Sequence, residues 1–297
     1  MPTTSTPTPP RPILDTHIHL YQVSRPGGVP WPPRESAGLH RDVLPAEYEA
    51  AARPLGIIGA GVVEASDRHE DTRWVLDRIH GNDFFPFVVA QLPVGAPDFG
   101  ARLDEIAADP RVVGIRGFLW NPTLTLDATQ LDHLGALARR GLSLDLISRG
   151  DRNPKDKVDA LAAAVPGLRV IVDHLGGAQG TTPEPAWIAD MQRLGRRANV
   201  AIKLSALFDM FNLAANENHP WVAPTDLAAY RPHLDVVFDA FGPDRILFGS
   251  NWPVCNQAGD LAEEVRLVEE HLAPRGARVR DQVMCDNARA FYRRQPA

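Results

Sequence analysis

Eight short apolar runs alternate with longer amphipathic stretches along this chain, and no other feature narrows its fold as far. The runs are Ile13–His17, Gly61–Glu64, Phe85–Gln91, Val112–Gly117, Leu142–Ile147, Arg169–Asp173, Val200–Ser205 and Arg245–Ser250. Several are apolar nearly throughout, as in Arg169-Val170-Ile171-Val172-Asp173. Strands of a parallel sheet covered on both faces read this way. Helices are predicted between them over Ala46–Arg53, Arg68–His80, Phe99–Ala108, Ala128–Arg140, Lys155–Ala164, Pro185–Arg197 and Leu227–Phe241. Asp260–His271 follows the last run, and Gln282–Arg294 makes a closing helix. Eight such units are the count of a (β/α)₈ TIM barrel. A doubly wound open sheet alternates similarly, but usually carries a Gly-rich phosphate loop after its first strand, and none stands here. The predicted fold is therefore α/β, a single-domain barrel over residues 13–297, with residues 1–12 as a flexible tail. Two long connections, Leu20–Pro45 and Phe208–Thr225, leave the C-terminal ends of strands, the rim on which barrel enzymes build their sites.

Composition excludes more than it selects. A formal net charge of -6 argues against a general nucleic-acid binder. No run reaches the ~20 apolar residues of a membrane helix, and the Pro- and Thr-rich Met1–Pro12 lacks the apolar centre of a secretory signal. Cys255 and Cys285 stand far apart, as reduced thiols rather than a disulfide or metal pair. The expected setting is cytoplasmic and the expected partner a small-molecule substrate, with neither nucleic acid nor membrane involved. Base rates add a homodimer.

Strand ends supply the chemistry. The first ends in Asp15-Thr16-His17-Ile18-His19. Residues two apart on an extended segment point the same way, so His17 and His19 can address one centre. Two neutral imidazoles there can ligate a divalent metal or hydrogen-bond a carbonyl and a water. Successive strands bring Glu64, Gln91, Arg116, Asp145, Asp173-His174, and Lys203 with Ser205, and the eighth runs into Gly249-Ser250-Asn251-Trp252-Pro253. A lone His or Arg at a strand end is more often structural. Strands one, six and eight each delivering a candidate to the same rim is a functional pattern.

The segments Asp15-Thr16-His17-Ile18-His19, Val172-Asp173-His174-Leu175-Gly176 and Lys203-Leu204-Ser205 resemble the metal-poor "amidohydrolase 2" branch of the amidohydrolase superfamily. So does Phe241-Gly242-Pro243-Asp244-Arg245-Ile246-Leu247-Phe248-Gly249-Ser250-Asn251-Trp252-Pro253-Val254-Cys255, which is similar to the strand-eight motif of sugar-lactone and related lactone hydrolases. Asn287-Ala288-Arg289-Ala290-Phe291-Tyr292 fits the family's final helix, and the likeness spans residues 13 to 294. It implies a hydrolase that opens a small polar lactone, of sugar-acid or dicarboxylate type, by attack of water. His17, His19, His174 and the residue at position 251 would be catalytic. Trp31, Glu64, Arg116, Asp145, Lys203 and Trp252 would meet the substrate. The alternatives are a metal-dependent decarboxylase of a small unsaturated or aromatic acid, and a ligand-binding barrel with impaired catalysis.

The chain departs from the family at two places. Position 251 is Asn where the family has Asp. A carboxamide orients water but has no useful basicity, and loss of a general base typically removes about 10²–10⁴ in rate. The base would then be Asp145, Glu64 or His174, unless the chain has been disarmed or has drifted to binding. Gly117 replaces a His found in many sugar lactonases, while Arg25, Arg34, Arg149 and Arg152 near the rim could bind a carboxylate. A two-metal centre is not expected, because the fourth strand offers Arg116 and the fifth has no His. The cofactor expectation is no metal, or one zinc-type ion on His17, His19 and His174.

Overall fold

A computed structural model describes residues 11–36, 38–117, 124–148, 154–212 and 220–294. Its eight strands are β1 (Ile13–Ile18), β2 (Ile57–Val63), β3 (Phe87–Ala90), β4 (Val112–Ile115), β5 (Ser143–Ile147), β6 (Arg169–Asp173), β7 (Val200–Leu204) and β8 (Ile246–Phe248). They form one parallel sheet in sequence order. The sheet curls back on itself: Asn251 N–H donates to His17 O and His19 N–H to Trp252 O, both at 2.8 Å. The predicted barrel is thus observed, and its seam runs through the two segments expected to carry chemistry.

Helices α1 (Pro45–Ala52), α2 (His69–Arg78), α3 (Phe99–Ala107), α4 (Ala128–Arg139), α5 (Lys155–Ala164), α6 (Pro185–Gly195), α7 (Arg231–Phe241) and α8 (Leu261–Leu272) connect the strands and follow the last of them. Their starts are written locally. Asp127 and Asp260 accept hydrogen bonds from the backbone N–H groups of Gln130 and Glu263, capping α4 and α8. Proline occupies the first turn of α1, α6 and α7, where no N–H is needed. The seventh helix begins four residues later than its amphipathic pattern predicts, because Leu227–Ala229 forms a separate 3₁₀ turn. The closing helix is broken in three: α9 (Ala277–Asp281), a π-helical turn Gln282–Asp286, and α10 (Asn287–Phe291). None of the described helices is long and apolar enough to cross a membrane. Residues 1–10 of the predicted tail lie outside the described residues, whereas the Pro12 carbonyl is held by Arg280 at 2.8 Å.

Two apolar layers result. The larger lies between the outer wall and the helices and includes Ile13, Ile18, Val62, Leu134, Val158, Met191 and Val268. The smaller fills the barrel floor with Leu14, Val63, Phe87, Val89, Val113, Ile171, Ala201 and Leu247, closed from below by Cys285, Ala288 and Tyr292. Gly61 makes room for this floor, since a Cβ there would lie 1.8 Å from the Phe87 ring. Between Asp15 and Ile18, β1 advances three residues while β2 advances two, from Ala60 to Val62. A one-residue irregularity of this kind reverses the side-chain alternation. It allows both Leu14 and His17 to face inward while Ile13 and Ile18 pack outward.

Candidate active site

Above the apolar floor the barrel interior becomes ionic. His17 stands at its centre, fully buried, with its ring centroid 5.0 Å from that of His19 and 4.5 Å from that of His174. Gly249 lets β8 approach closely, since a Cβ there would lie 2.9 Å from His17 Cβ. Three residues just past strand ends, His174, Ala206 and Asn251, have left-handed φ values of 54°, 54° and 59°. Non-glycine residues adopt that conformation at a cost of about 1–3 kcal/mol each, and such strain concentrates at functional sites.

Two buried cations flank His17. Arg116 donates from Nε to Glu64 Oε1 at 2.6 Å and from Nη2 to the Glu64 carbonyl at 2.9 Å. Its Nη1 is held more loosely, 3.4 Å from His17 Nε2 and 3.8 Å from Asp173 Oδ2. On the other side, Lys203 Nζ lies 2.7 Å from Asp145 Oδ2, 3.0 Å from Asp173 Oδ1 and 3.3 Å from His17 Nδ1. Burial opposes the charge on Lys203, but Asp145 and Asp173 raise its pKa above the ordinary lysine value. Burial also opposes ionisation of Asp173, yet Lys203 and His17 pull its pKa well below the usual carboxylate range. His17 is driven the other way, first by burial and then by Lys203, so it is a neutral imidazole. Its Nδ1 lies 3.3 Å from Lys203 Nζ and 3.5 Å from Asp173 Oδ1, and its Nε2 lies 3.4 Å from Arg116 Nη1.

His19 is neutral for similar reasons: burial and Arg116 lower its pKa to about 3, against smaller contributions from Val63 and Asn251. Its Nδ1 donates to the Val63 carbonyl at 3.0 Å, so Nε2 is an acceptor. The Asn251 side chain contacts His19 in a way that favours the charged ring, a smaller effect than burial. His174 is the most open of the three histidines. Its Nδ1 and its backbone N lie 2.9 Å and 3.2 Å from Ser205 Oγ, which orients the ring on its strained turn.

The sequence-predicted residues divide into two groups. His17, His19, His174, Asn251, Glu64 and Arg116 converge on the rim, with Trp31 edge-on to His19 at 5.5 Å. Asp145 and Lys203, expected at the substrate, are fully buried and paired with each other beneath His17. Trp252, also expected there, packs against Tyr48 at 5.1 Å and is 2% exposed. Of the rim arginines, Arg25 is tied to Asp71 and stands over the Trp74 ring at 5.2 Å, Arg34 is exposed, and Arg149 and Arg152 lie outside the described residues. Asp173 and Ser205 stand in the motifs Val172-Asp173-His174-Leu175-Gly176 and Lys203-Leu204-Ser205, where the sequence alone assigns them no role. Tyr292 was missed, because an aromatic residue at the end of a closing helix reads as packing.

His17, Asp173 and His174 offer ligand atoms within 4.8 Å of one another, the one such group among the described residues. Two imidazoles and a carboxylate are a donor set that a zinc-type ion accepts. Both Asp173 oxygens are buried with no hydrogen bond of regular geometry, so the residues fit a single ion. Asp173 takes the place the sequence reading gave to His19, and an ion bound there would share Asp173 with Lys203.

The family model described as amidohydrolase matches residues 14–294. This chain belongs to that family. L-fucono-1,5-lactonase of Burkholderia ambifaria is 29% identical to it over 294 residues, covering 94% of this chain and 95% of the relative. The L-fucono-1,5-lactonase of Burkholderia multivorans is 25% identical over 86% of this chain and 87% of its own. Among solved structures, an amidohydrolase from Burkholderia multivorans with bound zinc superposes with a TM-score of 0.83 at 25% identity, covering 95% of this chain and 99% of that one.

Proposed function

We propose that this amidohydrolase opens a lactone ring of the sugar-acid class by attack of water. The carrying observation is the geometry of the site: the buried imidazoles of His17 and His19 meet a buried guanidinium, with Arg116 Nη1 3.4 Å from His17 Nε2. Among the described residues, Arg116 and Lys203 are already compensated by Glu64, Asp145 and Asp173. The protein groups alone therefore suit a neutral, hydroxyl-bearing lactone better than a dicarboxylate. Similarity to the two L-fucono-1,5-lactonases points the same way.

The chemistry follows from the groups. The lactone carbonyl oxygen faces Arg116 Nη1, the arm least committed to Glu64, which donates to the oxyanion as it forms. His174, steered by Ser205 through Nδ1, takes a proton from the attacking water at Nε2. The tetrahedral intermediate collapses, the ring C–O bond breaks, and the same nitrogen returns the proton to the departing alkoxide. His17 is held between Arg116 and Asp173, and His19 between Val63 and Asn251, both neutral so that neither repels the cation that stabilises the oxyanion. Trp31 presents an aromatic wall to the ring. A zinc-type ion, were it held by His17, Asp173 and His174, would supply Lewis acidity at this position in place of the basicity of His174.

The test is hydrolysis of a panel of neutral aldono-lactones and one pyrone dicarboxylate, with and without chelator. Preferential turnover of the neutral lactones supports the reading. Turnover of the dicarboxylate alone would overturn the substrate class, and release of carbon dioxide from an aromatic acid would overturn the reaction.

A further inference from the structure

We infer that Tyr292, at the end of the closing helix, is a positioning residue for the reaction, acting on His17 through Asp145 and Lys203. The kinetic part of this inference rests on the hydrolytic reading above. Tyr292 rises from the barrel floor, 3% exposed, with its ring stacked on Phe87 at 4.4 Å and an interplanar angle of 20°. Packing alone requires only the ring. Its hydroxyl does something more specific: it donates to Asp145 Oδ2 at 2.6 Å.

The same oxygen accepts from Lys203 Nζ at 2.7 Å, while Asp145 Oδ1 receives only a long contact from Ser143 Oγ at 3.3 Å. The orientation of Asp145 thus depends on Tyr292 and Lys203 together. Lys203 Nζ also forms an ion pair with Asp173 Oδ1 at 3.0 Å and lies 3.3 Å from His17 Nδ1. The two atoms that fix the His17 ring from below are therefore set by a chain of short polar contacts that begins on the C-terminal helix. Asp145, Lys203, Asp173 and His17 are each fully buried, so water does not substitute for a missing link. Without the phenolic hydroxyl, Asp145 Oδ2 keeps one donor instead of two, the carboxylate re-forms its pair with Lys203, and the ammonium shifts relative to Asp173 and His17. Groups that orient an active-site histidine in this manner typically carry a factor of about 10–100 in activity.

Tyr292→Phe keeps the ring and its stack, and removes only the hydroxyl. Phe87→Leu is the control, removing the aromatic stack on Tyr292 while leaving its hydroxyl and every charged group of the polar chain in place. The expected result for Tyr292→Phe is a kcat lowered about tenfold with KM within twofold of the parent, while Phe87→Leu loses thermal stability but keeps the parent kcat. An unchanged kcat in Tyr292→Phe, or an equal loss in Phe87→Leu, would overturn the inference. If the parent hydrolyses no lactone, the functional reading fails on its own, and the inference is read without substrate from the ring nitrogens. Two-bond ¹H–¹⁵N spectra should show the His17 resonances moved in Tyr292→Phe and unmoved in Phe87→Leu. Unmoved His17 resonances in Tyr292→Phe would refute it.

Discussion

Glu264 offers a direct measurement of what this fold tolerates. The residue lies on α8, fully buried, and its Oε1 accepts from the Leu207 N–H at 2.9 Å while Oε2 is buried with no hydrogen-bond partner. Burial first, with Asp209 and Asp15 adding to it, raises its pKa well above the usual carboxyl value. A raised native pKa favours the protonated form, so the folded state is fully stable below the unfolded-state pKa and loses stability as pH climbs toward the native one. In that window one proton is released on unfolding, and stability falls by about 1.4 kcal/mol per pH unit. For a chain of 297 residues, unfolding entropy scales to roughly 0.6 kcal/mol/K, so the loss is about 2 °C per pH unit. Glu264→Gln keeps an oxygen for Leu207 and removes the titration. Thermal melts of parent and variant from about pH 5 upward should therefore diverge, with the variant gaining about 2 °C on the parent for each unit until the native pKa is passed. Leu207 follows the strained Ala206 and Ser205, the partner of His174, so Glu264→Gln should leave activity intact. Glu264→Ala removes the acceptor and should cost about 1–3 kcal/mol for the orphaned N–H alone. A parent–variant difference that is flat across this pH range would refute the reasoning, since it would mean that the carboxyl is not held neutral by burial.

The catalytic groups give sharper contrasts. His17→Ala should abolish lactone turnover, and His174→Gln should lower kcat by about 10²–10⁴, with circular dichroism unchanged in both; near-normal turnover in either would remove that residue from the mechanism. Arg116→Met removes the cation paired with the buried Glu64 and should destabilise the fold by about 3–5 kcal/mol, readable in urea unfolding, whereas Arg116→Lys keeps the charge, loses the forked contact to Glu64, and should be felt mainly in kcat. Asn251→Asp puts a carboxylate beside His19 and should raise the His19 pKa, readable by NMR titration; a gain of activity would mark this chain as a disarmed hydrolase. Calorimetric titration with zinc should give one equivalent bound, and Asp173→Asn should weaken that binding.

The barrel was legible in the sequence because its determinants are local and repeated. Eight apolar runs, helices with their own caps and prolines, and an alternation of the two leave few other ways to bury both faces of a parallel sheet. The rim histidines were legible too, since the ends of β1, β6 and β8 meet in any such barrel whatever the loops do. Depth within the barrel was not. Asp145 and Lys203 stand on strands with the same alternation as Arg116, yet they form the layer beneath His17 while Arg116 reaches the rim, a difference set by the stagger of neighbouring strands. The irregularity in β1 that turns His17 inward after Leu14 is a property of pairing with β2 and leaves no mark in composition. Tyr292 is the extreme case. Its helix is local, but its hydroxyl meets Asp145 only because the broken C-terminal helix folds under the floor, 147 residues away in sequence. Periodicity records which face of an element is buried. Which buried polar groups touch one another is decided when the ring closes.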